Sequence, residues 1–197
     1  ASLDKIKQVV DVRDGEIMFG LNMVVHKGKT IFVGDTSVHE YPTSEQMAEI
    51  AISTARVVRL FGFDPKVAFV SHSTFGQPLT SRTKHIRNAV DILKERKVDF
   101  EFDGDMQPDV ALNSEYEELY PFSKIVGKAN ILIMPGQHSA AISYKMMKTL
   151  GETKVIGPLL IGLGLPIEIA PLRSSTSELI NLASIAAYSA DVIDYKK

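Results

Sequence analysis

Apolar residues in this chain recur in two alternating rhythms, one of extended segments and one of helices. Ile17–Val25 and Thr30–Gly34 are β-like runs on either side of His26-Lys27-Gly28-Lys29. A short polar connection containing Gly between such runs predicts a hairpin. Thr43-Ser44-Glu45-Gln46 has the spacing of a capping box, in which the Thr and Gln side chains satisfy backbone donors at a helix start. Met47, Ile50, Ala51, Ala55 and Val58 then follow at helical spacing, Leu60 and Phe61 extend the apolar end, and Gly62 closes the helix.

Past Asp64-Pro65, the segment Lys66–Ser71 reads as a short buried strand around Val67-Ala68-Phe69-Val70. The polar loop Ser71–Ser81 leads to a helix over Arg82–Lys97, with Ile86, Val90 and Leu93 on one face. Asp99–Phe102 is expected as a strand, Pro108–Leu119 as a helix and Asn130–Met134 as a buried strand. His138–Leu150 reads as a helix, Lys154–Ile161 as a strand, Ile167–Ala170 as one further strand, and Ser177–Val192 as the last helix. The first residues, Ser2–Val10, also read as helix. Strands alternate with helices, and the middle strands lack a polar face. The expected fold is therefore three-layer α/β/α around a mostly parallel sheet covered on both sides. Ligands of such sheets sit at the carboxyl ends of the strands, where Ser71–Ser81, Gly104–Pro108, Pro135–Ser139 and Pro171–Thr176 are expected to converge.

Composition narrows this picture by exclusion. The 197 residues suit a single α/β domain spanning 1–197, and 45% hydrophobic content supplies an ample core. A net charge of −2 gives no electrostatic footprint for nucleic acid or an anionic membrane. With no cysteine there are no disulfides, thiolate metal sites or cysteine nucleophiles, which is compatible with the cytoplasm. The longest apolar stretch, Val155–Ala170, is interrupted by Gly157, Pro158, Gly162, Gly164, Pro166 and Glu168, so it falls short of the roughly 18–20 residues of a membrane span. The chain lacks an initiator Met, begins inside a helical pattern and reads as a fragment of something longer.

The local chemistry leaves alternatives open. Gly162-Leu163-Gly164 is followed by Leu165-Pro166-Ile167 rather than by the third Gly of a dinucleotide loop. Ser71-His72-Ser73-Thr74-Phe75-Gly76 offers hydroxyls and amides able to hold a phosphate or a thioester oxygen, yet the same residues serve equally to end a strand and cap a helix. Pro135-Gly136-Gln137-His138-Ser139 repeats that geometry and that ambiguity. Ser175-Thr176-Ser177-Glu178 matches a capping box, which gives Glu178 a structural job. His39, His72 and His138 lack the spacing of a metal helix, and Gly-x-Ser-x-Gly is absent. By themselves these residues specify an α/β domain with a loop-lined cleft.

A family resemblance runs through nearly the whole chain. Val33-Gly34-Asp35-Thr36-Ser37-Val38-His39, with the helix from Ser44, resembles the Asp-Cys-Ala-Val-Asn segment of phosphate acetyltransferases. Pro65–Gly76 resembles their Pro-x-Val-Ala-x-x-Ser-x-Ser-x-x-Gly, and Asp103–Ala111 their Asp-Gly-Glu-x-x-x-Asp-Ala-Ala. Gly127-Lys128-Ala129-Asn130 with Pro135, and then Ile156–Pro166, continue the series in order. Within that superfamily, Asp35-Thr36-Ser37-Val38-His39-Glu40 and Met134-Pro135-Gly136-Gln137-His138-Ser139-Ala140 look like the C-terminal domain of large multidomain malic enzymes.

Departures from the pattern carry the functional expectation. Active family members have Ser-Arg-Gly before the last helix, and the Arg supplies positive charge to acetyl and phosphate oxygens. Counting back from Ser177–Val192 puts Pro171 on that Ser and Leu172 on that Arg, whereas a one-residue slip would restore Arg173. Thr36 stands at the substrate-site Cys, and Phe75 replaces a Lys or Asn. Loss of such a charge removes about 2.7–4 kcal/mol if it acts like an oxyanion donor. The resemblance thus implies a regulatory, oligomer-forming domain that binds acetyl-CoA or CoA as an effector with the transfer chemistry lost. Thr36, Ser73, Thr74, Phe75, Gly76, Gln137, His138, Gly157, Pro158, Leu172, Arg173 and Ser174 are expected to line the cleft. NADP and a divalent metal (Mg or Mn) are expected in malic enzyme domains upstream, with no catalytic residue or metal in this segment. The alternatives are an active phosphate acetyltransferase and a purely structural oligomerisation module.

Overall fold

The structure is a computed structural model and describes residues 2–192. A six-stranded sheet forms its centre, in the order β4-β3-β5-β2-β1-β6. β1 (Phe19–His26) and β2 (Lys29–Gly34) form the expected hairpin. Its two turn residues, Lys27 and Gly28, both have positive φ, as a type I′ turn requires. β2, β5 (Ile131–Ile133), β3 (Lys66–Val70) and β4 (Glu101–Met106) pair in parallel. β1 runs antiparallel to both β2 and β6 (Thr153–Ile161), so five of the six strands share one direction.

Helices cover both faces. On one side α2 (Ser44–Leu60) and α3 (Ser81–Glu95) pack Met47, Ile50, Ala51, Ile86 and Leu93 onto Phe19, Phe32, Phe69, Ile131 and Ile133. Leu182 of α6 (Thr176–Val192) joins that cluster. The opposite face buries Val24, Val33, Ala68, Val70, Leu132 and Met134 under α4 (Pro108–Leu112), the 125–129 stretch and Ala140 of α5 (Gln137–Leu150). A smaller cluster around Val10, Met18, Leu160 and Leu163 ties the α1 (Ser2–Lys7) region to β6 and the loop after it.

Local signals set the ends of α2. Thr43 accepts from the Gln46 amide at 3.2 Å and the Gln46 side chain accepts from the Thr43 amide at 2.8 Å, completing the capping box. Gly62 and Phe63 return their amides to Arg59 and Val58 as a Schellman ending. Ser175 and Glu178 form the second capping box, at the start of α6.

Three expectations are corrected. Helix Pro108–Leu119 breaks at Asn113, which is extended and caps the Glu115 amide at 3.1 Å, leaving a separate 3₁₀ turn over Ser114–Leu119. A short polar side chain competing for a nearby backbone donor is the cause. Ile167–Ala170 is not a strand: a single bridge, Leu159 to Glu168, links it to β6. The first helix ends at Lys7 rather than continuing to Val10. Most of α6 is apolar, yet Leu182 is its buried residue, and Leu179, Ile180 and Tyr188 stay exposed.

Candidate functional site

Two buried carboxylates, each after a Gly at the carboxyl end of a strand, organise the loops there. Asp35 follows β2. Its Oδ1 accepts the Gly20, Ser37 and Val38 amides at 2.8, 2.8 and 3.1 Å. Its Oδ2 accepts the His39 amide at 2.7 Å and lies 2.7 Å from His39 Nδ1. An ionised carboxylate fully occupied by donors is stable inside a protein. Asp35 therefore curls residues 35–39 into a fixed loop, and Gly20 lets that loop come close, because a Cβ there would lie 2.6 Å from Ser37 Cβ.

Asp105, at the end of β4, does the same for the loop after β3. It accepts the Ser73 hydroxyl and, at 3.0 Å, the Gly76 amide. The Thr74 hydroxyl accepts the Gln107 amide at 3.2 Å. Ser73, Thr74 and Gly76 thus spend their polar groups inside the protein. Phe75, at φ 50, packs its ring on Phe122 and Tyr120. Neither Asp35 nor Asp105 was singled out from the sequence, although Gly34-Asp35 and Gly104-Asp105 repeat one signal, a Gly-Asp pair where a strand ends.

Between the loop after β3 and the turn after β5 lies a cleft of about 310 Å³, lined by Ser71, His72, Arg82, Pro108, Met134, Pro135, Ser139 and Ser143. Three of the four loops expected to converge meet here. Gln137 opens α5 beside it, donating its amide to His39 O at 3.0 Å and its Nε2 to Ser37 O at 3.2 Å. His138 is exposed. Thr36 is buried, and its hydroxyl donates to Asn22 Oδ1 at 3.2 Å. Gly157 abuts that same oxygen: a Cβ there would lie 2.8 Å from Asn22 Oδ1. Thr36 and the Gly157-Pro158 bend of β6 thus meet through Asn22. Pro171–Thr176 lines neither this cleft nor the cavity described next. Leu172 is fully exposed, Arg173 is exposed, and the Ser174 amide closes a turn onto Pro171 O at 3.0 Å.

A second cavity, of about 350 Å³, separates α2 from β6 and α6. Leu159, Leu163, Val57, Phe61 and Ile185 give it apolar walls, Arg13, Glu16 and Arg56 contribute charge, and Glu168 adds a carboxyl. Glu16 is paired with both Arg13 and Arg56. Burial pushes the Glu168 carboxyl up to about 8, partly opposed by the bond it accepts from the Leu160 amide. Glu178 moves the other way, to about 2, because the Ser175 amide and Lys148 both favour its charged form. Among the described residues, no group of three or more His, Asp or Glu is placed to hold a metal, and no helix is long and apolar enough to cross a membrane.

Comparison with known proteins fits this geometry into a family pattern. The profile of the family described as phosphate acetyl/butaryl transferase matches residues 1–187. An NADP-dependent malic enzyme of Rhizobium meliloti is 46% identical over 96% of the chain, which spans 25% of that protein. A phosphate acetyltransferase of Bacillus subtilis is 31% identical over 93% of the chain and is itself 57% covered. Among solved structures, a phosphotransacetylase from Streptococcus pyogenes superposes with a TM-score of 0.90 at 29% identity, with 96% of this chain and 59% of that one covered.

Proposed function

Because the chain belongs to the phosphate acetyl/butaryl transferase family, we propose that it is the regulatory module of a malic enzyme, binding acetyl-CoA as an effector without transferring its acetyl group. The observation that carries this reading is the residue before the last helix. Counting back from that helix sets Pro171-Leu172 against the Ser-Arg of the family pattern, with Arg173 in that place under a one-residue slip, and Leu172 brings no charge. Transfer between a phosphate and a thioester develops negative charge that fixed cations must offset. Binding of a large ligand draws instead on contacts spread along its whole length, so recognition outlives the loss of one cation.

Two further observations support the malic enzyme context. The 46% identity to a malic enzyme is higher than that to the acetyltransferases, although the chain spans a quarter of that enzyme. In addition, the exposed apolar side chains Leu179, Ile180 and Tyr188 on α6 suit a helix covered by more polypeptide or by a second copy. On this reading malate decarboxylation, NADP and Mg or Mn belong to upstream domains, and the assembly is a cytoplasmic homo-oligomer. Acetyl-CoA that distinguishes two arrangements of the module biases the malate site by about 1–3 kcal/mol.

Titration calorimetry of the full polypeptide with acetyl-CoA and CoA, run beside an assay for acetyl phosphate, tests the proposal. Binding without turnover is expected; no binding of either ligand rejects it. A second reading, an active phosphate acetyltransferase, is favoured by Arg173, which stands one residue on, exposed and without an ion pair among the described residues. Turnover that Arg173→Ala abolishes would establish that reading instead.

A further inference from the structure

The cavity of about 350 Å³ between α2, β6 and α6 shares no lining residue with the cleft at the carboxyl edge. Its helical walls are fastened to each other. The Tyr188 hydroxyl donates to Leu60 O at 3.0 Å, and the Tyr188 ring centre lies 6.4 Å from that of Phe61, so α6 is tied to the end of α2. The volume and the apolar lining are those of a small-molecule site. The lining ions are spent on partners: Glu16 pairs with Arg13 and Arg56, and Arg59 with Asp99. No unpaired ion among them calls for a charged ligand.

Glu168 is different. Its backbone bridges to Leu159 and its Oε2 accepts the Leu160 amide at 3.3 Å, while Oε1 makes no hydrogen bond among the described residues. Burial pushes this carboxyl up to about 8, so at neutral pH it holds its proton. With Oε2 accepting, the hydrogen belongs on Oε1, and the group brings one uncommitted donor to an apolar lining.

We propose that this cavity is a second ligand site, for a small uncharged apolar molecule whose carbonyl oxygen accepts a hydrogen bond from Glu168. The apolar body of such a ligand leaves water for Leu159, Val57, Phe61 and Ile185. Its carbonyl is not buried without a partner, because the Glu168 hydroxyl supplies one. An anion entering the same space would give up its hydration and meet only cations already paired. Bound there, the ligand touches α2, β6 and α6 together and braces the last helix against the sheet.

The other titratable groups around the cavity are Arg13 and Glu16 before β1, Arg56 and Arg59 on α2, and Tyr188 on α6. The α1 helix, whose Leu3 and Ile6 pack with Ile167 and Ile169, adds Asp4, Lys5 and Lys7. Glu168→Gln separates Glu168 from all of them, since the amide still donates to a carbonyl but does not titrate.

The probe is prodan, an uncharged naphthalene ketone whose emission moves to the blue as it leaves water, titrated into the full polypeptide. One saturable site is expected. Its affinity should fall about tenfold between about pH 6.5 and 9, the worth of one hydrogen bond lost when the donor becomes a carboxylate. Glu168→Gln should bind prodan equally at both ends of that range. Ser189→Trp, which fills the cavity from α6, should abolish binding while the thermal melt stays near that of the parent. Excess CoA should leave the signal in place, so the effector reading is tested apart from this one. The proposal is overturned by any of four results: no saturable site, binding that survives Ser189→Trp, a pH slope that persists in Glu168→Gln, or displacement by CoA. A site that disappears as protein concentration rises gives the cavity to a second copy of the chain and overturns it as well.

Discussion

Removing the Asp35 carboxylate should undo the loop that ends β2, and the structure sets how much that costs. In Asp35→Ala five donors lose their acceptor: the amides of Gly20, Ser37, Val38 and His39, and His39 Nδ1. They are not equivalent. Ser37, Val38 and His39 are half-buried, so a loosened loop can turn them to water. Gly20 lies within β1 and is buried, so its amide has no such exit. One orphaned buried donor costs about 1–3 kcal/mol, and a bond to a charged acceptor is worth about 1.5–3 kcal/mol. Counting Gly20 in full and the loop amides in part gives a loss of about 3–5 kcal/mol. With a slope of about 2 kcal/mol per molar of urea, the midpoint should fall by roughly 1.5–2.5 M. Amide exchange locates the damage: Gly20 and Ser37–His39 should lose protection before the centre of β5 does. A midpoint shift below about 0.5 M, with Gly20 still protected, would refute the claim that this carboxylate orders the loop.

Three other outcomes are expected. Gly157→Ala places a Cβ 2.8 Å from both Asn22 Oδ1 and Leu21 O at a φ of 126°, so a stability loss of about 2–4 kcal/mol should appear in a thermal melt. Glu168, raised to about 8 by burial, stays protonated in the folded state over a range where the unfolded carboxyl is charged. Its contribution is therefore complete below the unfolded value of 4.5 and is lost as pH rises toward 8, and Glu168→Gln should flatten that decline in urea midpoints measured across the interval. Thr43→Ala removes half of the α2 capping box, which predicts a loss of about 1 kcal/mol in the same assay.

How much of the fold is legible in the sequence depends on how local each signal is. The hairpin, the two capping boxes and the Gly62 ending are each specified within a few residues, and all of them form. Apolar runs such as Val67–Val70 mark strands that are covered on both faces. The misread segments are those where a side chain replaces a backbone partner. Asn113 takes the Glu115 amide and ends a helix whose periodicity continues past it. Glu168 takes the Leu160 amide, so the 167–170 stretch meets β6 through a carboxyl rather than through a strand ladder. Asp103-Gly104-Asp105 has the composition of a turn, yet β4 runs through it to Met106, four residues beyond Phe102, because Asp105 finds donors in the loop after the neighbouring β3. No window of local sequence contains those partners.

The site was less legible for the same reason, and Ser73 shows why. A hydroxyl at a strand end suits a ligand and an inner carboxylate equally well, and only the fold reveals that Asp105 is within reach. Thr36 is similar, since its hydroxyl meets Asn22, 14 residues earlier on an adjacent strand. The residues that reach the cleft, Ser71, His72 and Ser139, are neighbours of those expected to line it. A substitution series that changed only the buried partners would lower stability along with binding. One confined to His72 and Ser139 would separate the two effects, and that separation distinguishes a scaffold from a binding surface.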